Sequence, residues 1–423
     1  MSHAPAHPRD PIGWSLLLTA GFAALCFTRL AIPGIIMFDE VHYVPAARTL
    51  MELSGPANVE HPMVGKQLIA LGIWLFGDEP FGWRVMAALF GVIGFFAGLR
   101  AMWFASCSRF ATVAFGILLA TGFPLVVHAR IAMLDSFMVG FLLLALWQLA
   151  AAVREAETAR WRLALAGVFM GLAMGAKWSV LALMPVPGLA FLAVRAMHYH
   201  GNILTCRRGA PVPGISLLEA GLWLGVVPLL TYFVSFWPYL VYENYALGFT
   251  DIVSLQWDML DLQGQVIEPH PYQSVWYQWV GNWRAIWYLY ENVDGAQRAV
   301  VLLGNPFSSL VGLIGFGWCA WAGWKGNRAA LALAVLYAVS IGFWIVAAKP
   351  IQFYYHYLVP HTLLMGCVAL WLDAMWQRGW KWLAAGILAI SALMFAYFWP
   401  ALSAAALEGE RSFEDYTWLK SWA

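Results

Sequence analysis

The sequence predicts an all-α, polytopic membrane protein with about eleven transmembrane helices. Three observations carry that reading. Of the 423 residues, 62% are hydrophobic and only 11% are charged, whereas a soluble domain carries roughly 25% charged residues. The apolar residues form long unbroken runs rather than an alternating pattern, which favours helices over a barrel. The 25 Trp and 16 Tyr suit side chains that settle at membrane–water interfaces. A net charge of +1 without a basic tract gives no support to nucleic-acid binding. Five scattered cysteines, with no CxxC or Cys/His metal spacing, do not form a disulfide framework.

A bilayer crossing takes about 20 apolar residues. On that ruler the spans are 14–36, 82–103, 110–128, 133–152, 161–176, 178–197, 216–238, 306–324, 329–347, 355–376 and 380–400. The first reads as a retained anchor, because only Arg9 precedes it and no small-residue cleavage site follows. The segment 62–76 is apolar but short and contains Lys66, so it reads as a re-entrant or interfacial helix. With the N-terminus inside, the inner side holds 13 of the 24 Lys and Arg but only five acids, the bias expected of cytoplasmic loops.

Residues 1–400 therefore form one membrane domain with two long outer loops, about 37–81 and 239–305. The first contains an acidic pair, Asp39-Glu40, followed by a candidate amphipathic helix over 40–53. The second is rich in Trp and Tyr, which predicts one or two helices packed at the interface. The tail 401–423 reads as a further surface-lying helix.

Ionisable residues at span ends that gather on one face are functional candidates. Here they are Asp39, Glu40, His42, His61, Lys66, Arg84, Arg130, Asp135, Lys177, His270, Lys349 and His356. Cations on that face suit an anionic lipid phosphate, and a carboxylate suits proton abstraction from an acceptor. Each also has a plainer role. An Arg or Lys at a span end snorkels to head groups; Asp39-Glu40 and Asp135 can cap helices; His270 and His356 can be hydrogen-bonded packing residues.

Several stretches in series resemble the PMT family of protein O-mannosyltransferases, multispanning glycosyltransferases of the GT-C type. Phe38-Asp39-Glu40-Val41-His42 is similar to the family's "FDEVHF" element, and His61-Pro62-Met63-Val64-Gly65-Lys66 to its "HPPLAK". Gly82-Trp83-Arg84 resembles the arginine opening its second span, Arg130 to Ser136 its "R-x-x-LLDS", and Gly175-Ala176-Lys177-Trp178 its "KW" turn. His270-Pro271-Tyr272-Gln273-Ser274 with Trp276 and Trp279, Ile286-Trp287-Tyr288, Gly304-Asn305-Pro306, and Phe353 to Pro360 follow in the family's order. The second outer loop is too short for the β-trefoil module of eukaryotic members, so a bacterial-type member is implied. It would sit in the inner membrane with its active face towards the periplasm.

The resemblance implies a polyprenyl-phosphate-mannose donor and Ser/Thr acceptors on exported proteins. Asp39 would be the general base, with Glu40 assisting it. Lys66, Arg84, Arg130 and Lys177 would hold the donor phosphate. Asp135, His61, His270, Tyr272, Trp276, Tyr355 and His356 would contact acceptor or sugar. No motif demands a metal or another cofactor, although two close carboxylates leave a divalent cation possible. Two alternatives stay open: the same chemistry on lipid A or a cell-wall glycan, and, from a different class, a secondary transporter or lipid flippase. The latter predicts internal repeats, and none is present.

Overall fold

The computed structural model describes residues 9–198, 201–265, 268–347 and 349–423. The chain opens with helix α1 (Ile12–Phe27), then α2 (Glu40–Glu52) and α3 (Val64–Phe76) in the first loop. Next come the long α4 (Pro80–Ser106), α5 (Arg109–Thr121), short α6 (Pro124–His128), α7 (Leu134–Arg154) and α8 (Ala159–Ala176). A 3-10 turn at Trp178–Leu183 leads into α9 (Val186–His198). The following span combines α10 (Leu217–Gly221), a π turn at Leu222–Val226 and α11 (Val227–Val234). The second loop holds α12 (Phe249–Gly264), α13 (Trp276–Val280), β1 (Ile286–Val293) and β2 (Ala296–Leu302). The chain ends with α14 (Pro306–Trp324), α15 (Arg328–Val346), α16 (Leu358–Gln377), α17 (Lys381–Leu402) and β3 (Ala406–Leu407).

All eleven expected spans fall on helical segments, and among the described residues eight helical stretches are long and apolar enough to cross a membrane. The shortfall has physical causes. Helix α1 stops at Phe27, nine residues before the expected end, because residues 28–36 turn through Arg29 at φ 54° and Pro33. The third stretch breaks at Phe123, φ 80°, just before Pro124. Helix α8 carries Arg160 and Arg162 in its first turn.

The bundle core is built where α4 lies against α7. A Cβ on Gly94 would come within 2.8 Å of the Gly140 Cα, so only glycines allow this backbone approach, the small-residue packing typical of membrane helices.

The second loop departs from the expected interfacial helices. Helix α12 is present, but β1 and β2 form an antiparallel hairpin, and β3 from the tail joins it. Its turn is Asp294-Gly295, with φ of 52° and 73°, the left-handed pair that a type I′ turn requires. The tail is likewise not a surface helix. Trp422 is buried; its Nε1 donates to the Asn282 carbonyl, and its own carbonyl accepts from Trp287 Nε1.

Two arginines organise the site end of the bundle. Arg130 donates through Nη1 to the carbonyls of Leu25, Cys26 and Thr28, the orphan acceptors at the end of α1, and through Nη2 to Ser403. Arg84, fully buried, donates to the carbonyls of Leu30, Pro33 and Ile35 and forms a fork onto Glu40 at 2.7 and 2.8 Å. Glu40 also accepts the backbone N–H groups of Met37 and Ala132. One ion pair thus joins α2, α4, the turn after α1 and the loop before α7. Arg84→Ala leaves a buried, unpaired carboxylate and is expected to cost about 3–5 kcal/mol. A marked drop in Tm of the purified protein checks this, and an unchanged Tm contradicts it.

Candidate active site

Five segments converge around Asp39. They are the N-terminus of α2, the turn before α3, the start of α7, the residue after α8 and the strip 349–356, with β1 as a wall. Phe38 takes a left-handed φ of 48°, which is strained for a bulky residue. It is held there by stacking on Tyr288 at 4.3 Å and by an edge contact with Tyr355. That turn presents Asp39 at the N-cap position of α2, yet its carboxylate makes no capping hydrogen bond. Capping is therefore not its role; its oxygens face the cluster.

Burial pushes the Asp39 carboxyl up to about 6. Lys177 opposes that rise most, Asp135 adds to it, and His42 and Lys349 oppose it. Asp39 is thus ionised at neutral pH but is a stronger base than an ordinary surface carboxylate. Lys177 Nζ donates to Asp135 Oδ2 at 2.7 Å and sits 4.4 Å from the Tyr355 ring centre. One ammonium hydrogen is engaged by Asp135, which leaves two for an incoming anion. Lys349 is a second ammonium beside the cluster, lowered to about 8 by burial and next by Lys177.

Three other buried atoms in this cluster have no hydrogen-bond partner among the described residues: Asp135 Oδ1, His61 Nδ1 and His356 Nε2. Buried polar atoms are ordinarily satisfied, so their grouping beside Asp39 and Lys177 marks a place built for a polar ligand. Burial, with Lys177 and Lys349 nearby, holds His61 well below the usual imidazole range, so it is neutral at pH 7.

The remaining expected residues divide. Tyr355 lies at the centre, against Phe38, Lys177 and His356. His270 is exposed at the rim, 5.1 Å from the Phe353 ring, which stacks on Tyr355. Tyr272 is half-buried beside His270. Trp276 packs on Tyr277, whereas Trp279, three residues on, is the one that reaches His356.

Three cations expected at the phosphate and one carboxylate expected to assist catalysis are engaged elsewhere. Arg84 and Arg130 are held by Glu40 and by backbone carbonyls, as above. Lys66 directs Nζ at the carbonyls of Ala57, Asn58 and His61, using all three hydrogens to fold the turn that carries His61. Glu40 accepts four hydrogen bonds from Arg84 and two backbone N–H groups. All four side chains are engaged by protein groups around the site. Among the described residues no three His, Cys, Asp or Glu side chains converge as a ligand set for a metal ion.

Lys349 and His42 lie on the outer face as expected from the sequence, whereas the place of Lys349 and Tyr288 beside Asp39 emerges only from the structure. The available signal was a lone Lys349-Pro350 six residues before Tyr355, and Tyr288 within the Trp287-Tyr288 motif.

Comparison with known proteins agrees with this architecture. The family model described as dolichyl-phosphate-mannose-protein mannosyltransferase matches residues 60–205. The chain is 27% identical to the polyprenol-phosphate-mannose–protein mannosyltransferase of Corynebacterium glutamicum, across 99% of this chain and 96% of that protein. It is 28% identical to the protein of the same name in Mycolicibacterium smegmatis, across 97% and 93%. Its fold matches a chain of the S. cerevisiae protein O-mannosyltransferase Pmt1-Pmt2 complex bound to the sugar donor, with a TM-score of 0.82 at 13% identity, over 98% and 92% of the two chains. A more distant likeness, TM-score 0.56 at 17% identity over 88% of this chain and 61% of the other, is to apo ArnT from Cupriavidus metallidurans. Along nearly its whole length the chain is thus similar to protein mannosyltransferases, and it shares the fold of the protein O-mannosyltransferase chain.

Proposed function

We propose that the protein transfers mannose from a polyprenyl-phosphate-mannose donor to Ser or Thr hydroxyls of exported proteins, with Asp39 as general base. The observation that carries this reading is a half-buried carboxylate free of capping duty, with its pKa raised to about 6, beside a lysine that keeps hydrogens to offer. The full-length likeness to polyprenol-phosphate-mannose–protein mannosyltransferases supports the donor and acceptor classes.

In the proposed step Asp39 takes the acceptor O–H proton as the oxygen forms a bond to the anomeric carbon. The bond from that carbon to the phosphate oxygen breaks on the opposite face, so the anomeric configuration inverts. The lipid phosphate leaves with the bonding electron pair, and Lys177 and Lys349 stabilise its added charge. Asp135 orients Lys177; His61, Tyr355 and His356 line the sugar and acceptor space; His270, Tyr272 and Trp276 form its rim. Residues 1–400 act as one catalytic membrane domain. The excess of Lys and Arg over acids on the other side of the bundle supports an inner-membrane protein whose site faces the periplasm.

Membranes supplied with labelled polyprenyl-phosphate mannose and a Ser/Thr-rich peptide test the reading. Wild type transfers label to the peptide, and Asp39→Asn lowers the rate by about 10²–10⁴ at equal expression. Undiminished transfer by that variant sinks the mechanism; label appearing only in lipid A or glycan moves the reaction to that acceptor.

The charges set a pH signature. Only the ionised carboxylate accepts the proton, so the wild-type rate rises with pH through about 6. Lys177 is the strongest force favouring the ionised form, so Lys177→Gln raises the Asp39 pKa. The rising limb of its residual rate then lies at higher pH than in wild type. A limb that stays in place or moves to lower pH refutes this coupling.

A further inference from the structure

We propose that the end of the bundle opposite Asp39 holds a binding site for the phosphate head group of an anionic phospholipid. The two ends are well separated: α7, 21 residues long, carries Asp135 in its first turn at the active site and Arg154 as its last residue at the other end, about 30 Å away. There a cavity of about 370 Å³ opens between the ends of α4, α7 and α16 and the start of α15. Its lining includes Arg154, Arg328, Asn327, Ser106, Asp373 and Trp318.

Three features suit a phosphate ester. Arg154 donates Nε to the Phe104 carbonyl and Nη2 to that of Ala105, which fixes the guanidinium and leaves Nη1 for a ligand. Arg328 is exposed as the first residue of α15, a 19-residue helix capped by Asn327, so its side chain and the helix N-terminus present positive charge together. Trp318 Nε1 is a buried donor without a partner among the described residues. The one carboxylate in the lining, Asp373, is already engaged through Oδ1 by Ser108 Oγ at 2.6 Å and by Gln377. Two arginines against one aspartate leave the cavity cationic.

The flanks select a lipid over a free anion. Leu331 on α15 and Trp321 on α14 are exposed beside the cavity, and Trp324 and Trp382 at the same end are 86% and 91% exposed. Apolar faces suit acyl chains, and exposed tryptophans suit the interfacial zone. A basic pocket between spanning helices is the general form of a head-group site.

The test uses purified full-length protein in detergent, titrated with short-chain phosphatidylglycerol, phosphatidylcholine or inorganic phosphate, and read by native mass spectrometry and Tm. Phosphatidylglycerol is expected to bind and raise the Tm, and phosphatidylcholine is not. Arg328→Gln, which removes no hydrogen bond within the described protein, should weaken binding roughly tenfold. Arg154→Gln with Arg328→Gln should abolish it, and Asp373→Asn should tighten it. Equal affinity of wild type and Arg328→Gln overturns the site. Inorganic phosphate binding as tightly as phosphatidylglycerol overturns the lipid assignment.

Discussion

The site depends on the Glu40–Arg84 pair. Both side chains are fully removed from solvent, and a pair in that position repays its desolvation only when its remaining donors and acceptors are satisfied. Here Glu40 receives four hydrogen bonds, and Arg84 reaches three carbonyls besides the carboxylate. The exposed Arg48–Asp78 pair has similar geometry, but such a surface pair contributes about 1 kcal/mol or less. The buried pair serves geometry more than net stability. It closes the turn where Pro33 interrupts the helix, and it fixes the first residue of α2 to α4 and to Ala132. Asp39, one residue earlier, is thereby aimed without using its own oxygens.

This arrangement separates the polar groups by task. Adjacent acids look equivalent in a sequence, yet Glu40 is saturated by protein donors while Asp39 keeps its oxygens. The cations divide in the same way. Arg84 and Arg130 hold backbone carbonyls at and after the end of α1, and Lys66 those of the turn before α3, whereas Lys177 and Lys349 face the acidic cluster. In a membrane protein this first task is not optional, because an unpaired carbonyl in an apolar setting costs several kcal/mol. Irregular backbone around the site therefore engages arginines and lysines as donors to its carbonyls.

The helical architecture was legible because apolar run length alone determines it, and the helices α4, α7, α14 and α15 lie where their runs predict. The hairpin was missed although Asp294-Gly295 signalled it; the Trp and Tyr of its first strand, within an aromatic-rich loop, read as interfacial helix. The convergence of Asp39, Asp135, Lys177 and His61 was legible through the order of motifs. The division between framework and site cations was not, since it depends on which carbonyls lie within reach of each side chain. Lys349 entered the cluster for the same reason, through the path of the chain after α15.

The electrostatics of the cluster also favour a binding order for the proposed reaction. Lys177 and Lys349 lower the Asp39 pKa against the larger effect of burial. A donor phosphate lying against those ammonium groups would offset their charge. Asp39 would then feel burial and Asp135 with less opposition, and its basicity would rise as the donor arrived. Starting from about 6, a modest rise still leaves a large ionised fraction at neutral pH, so base strength is gained without losing the reactive form. In the proposed reaction the two lysines that would receive the leaving phosphate would thus also restrain the base until the donor is in place.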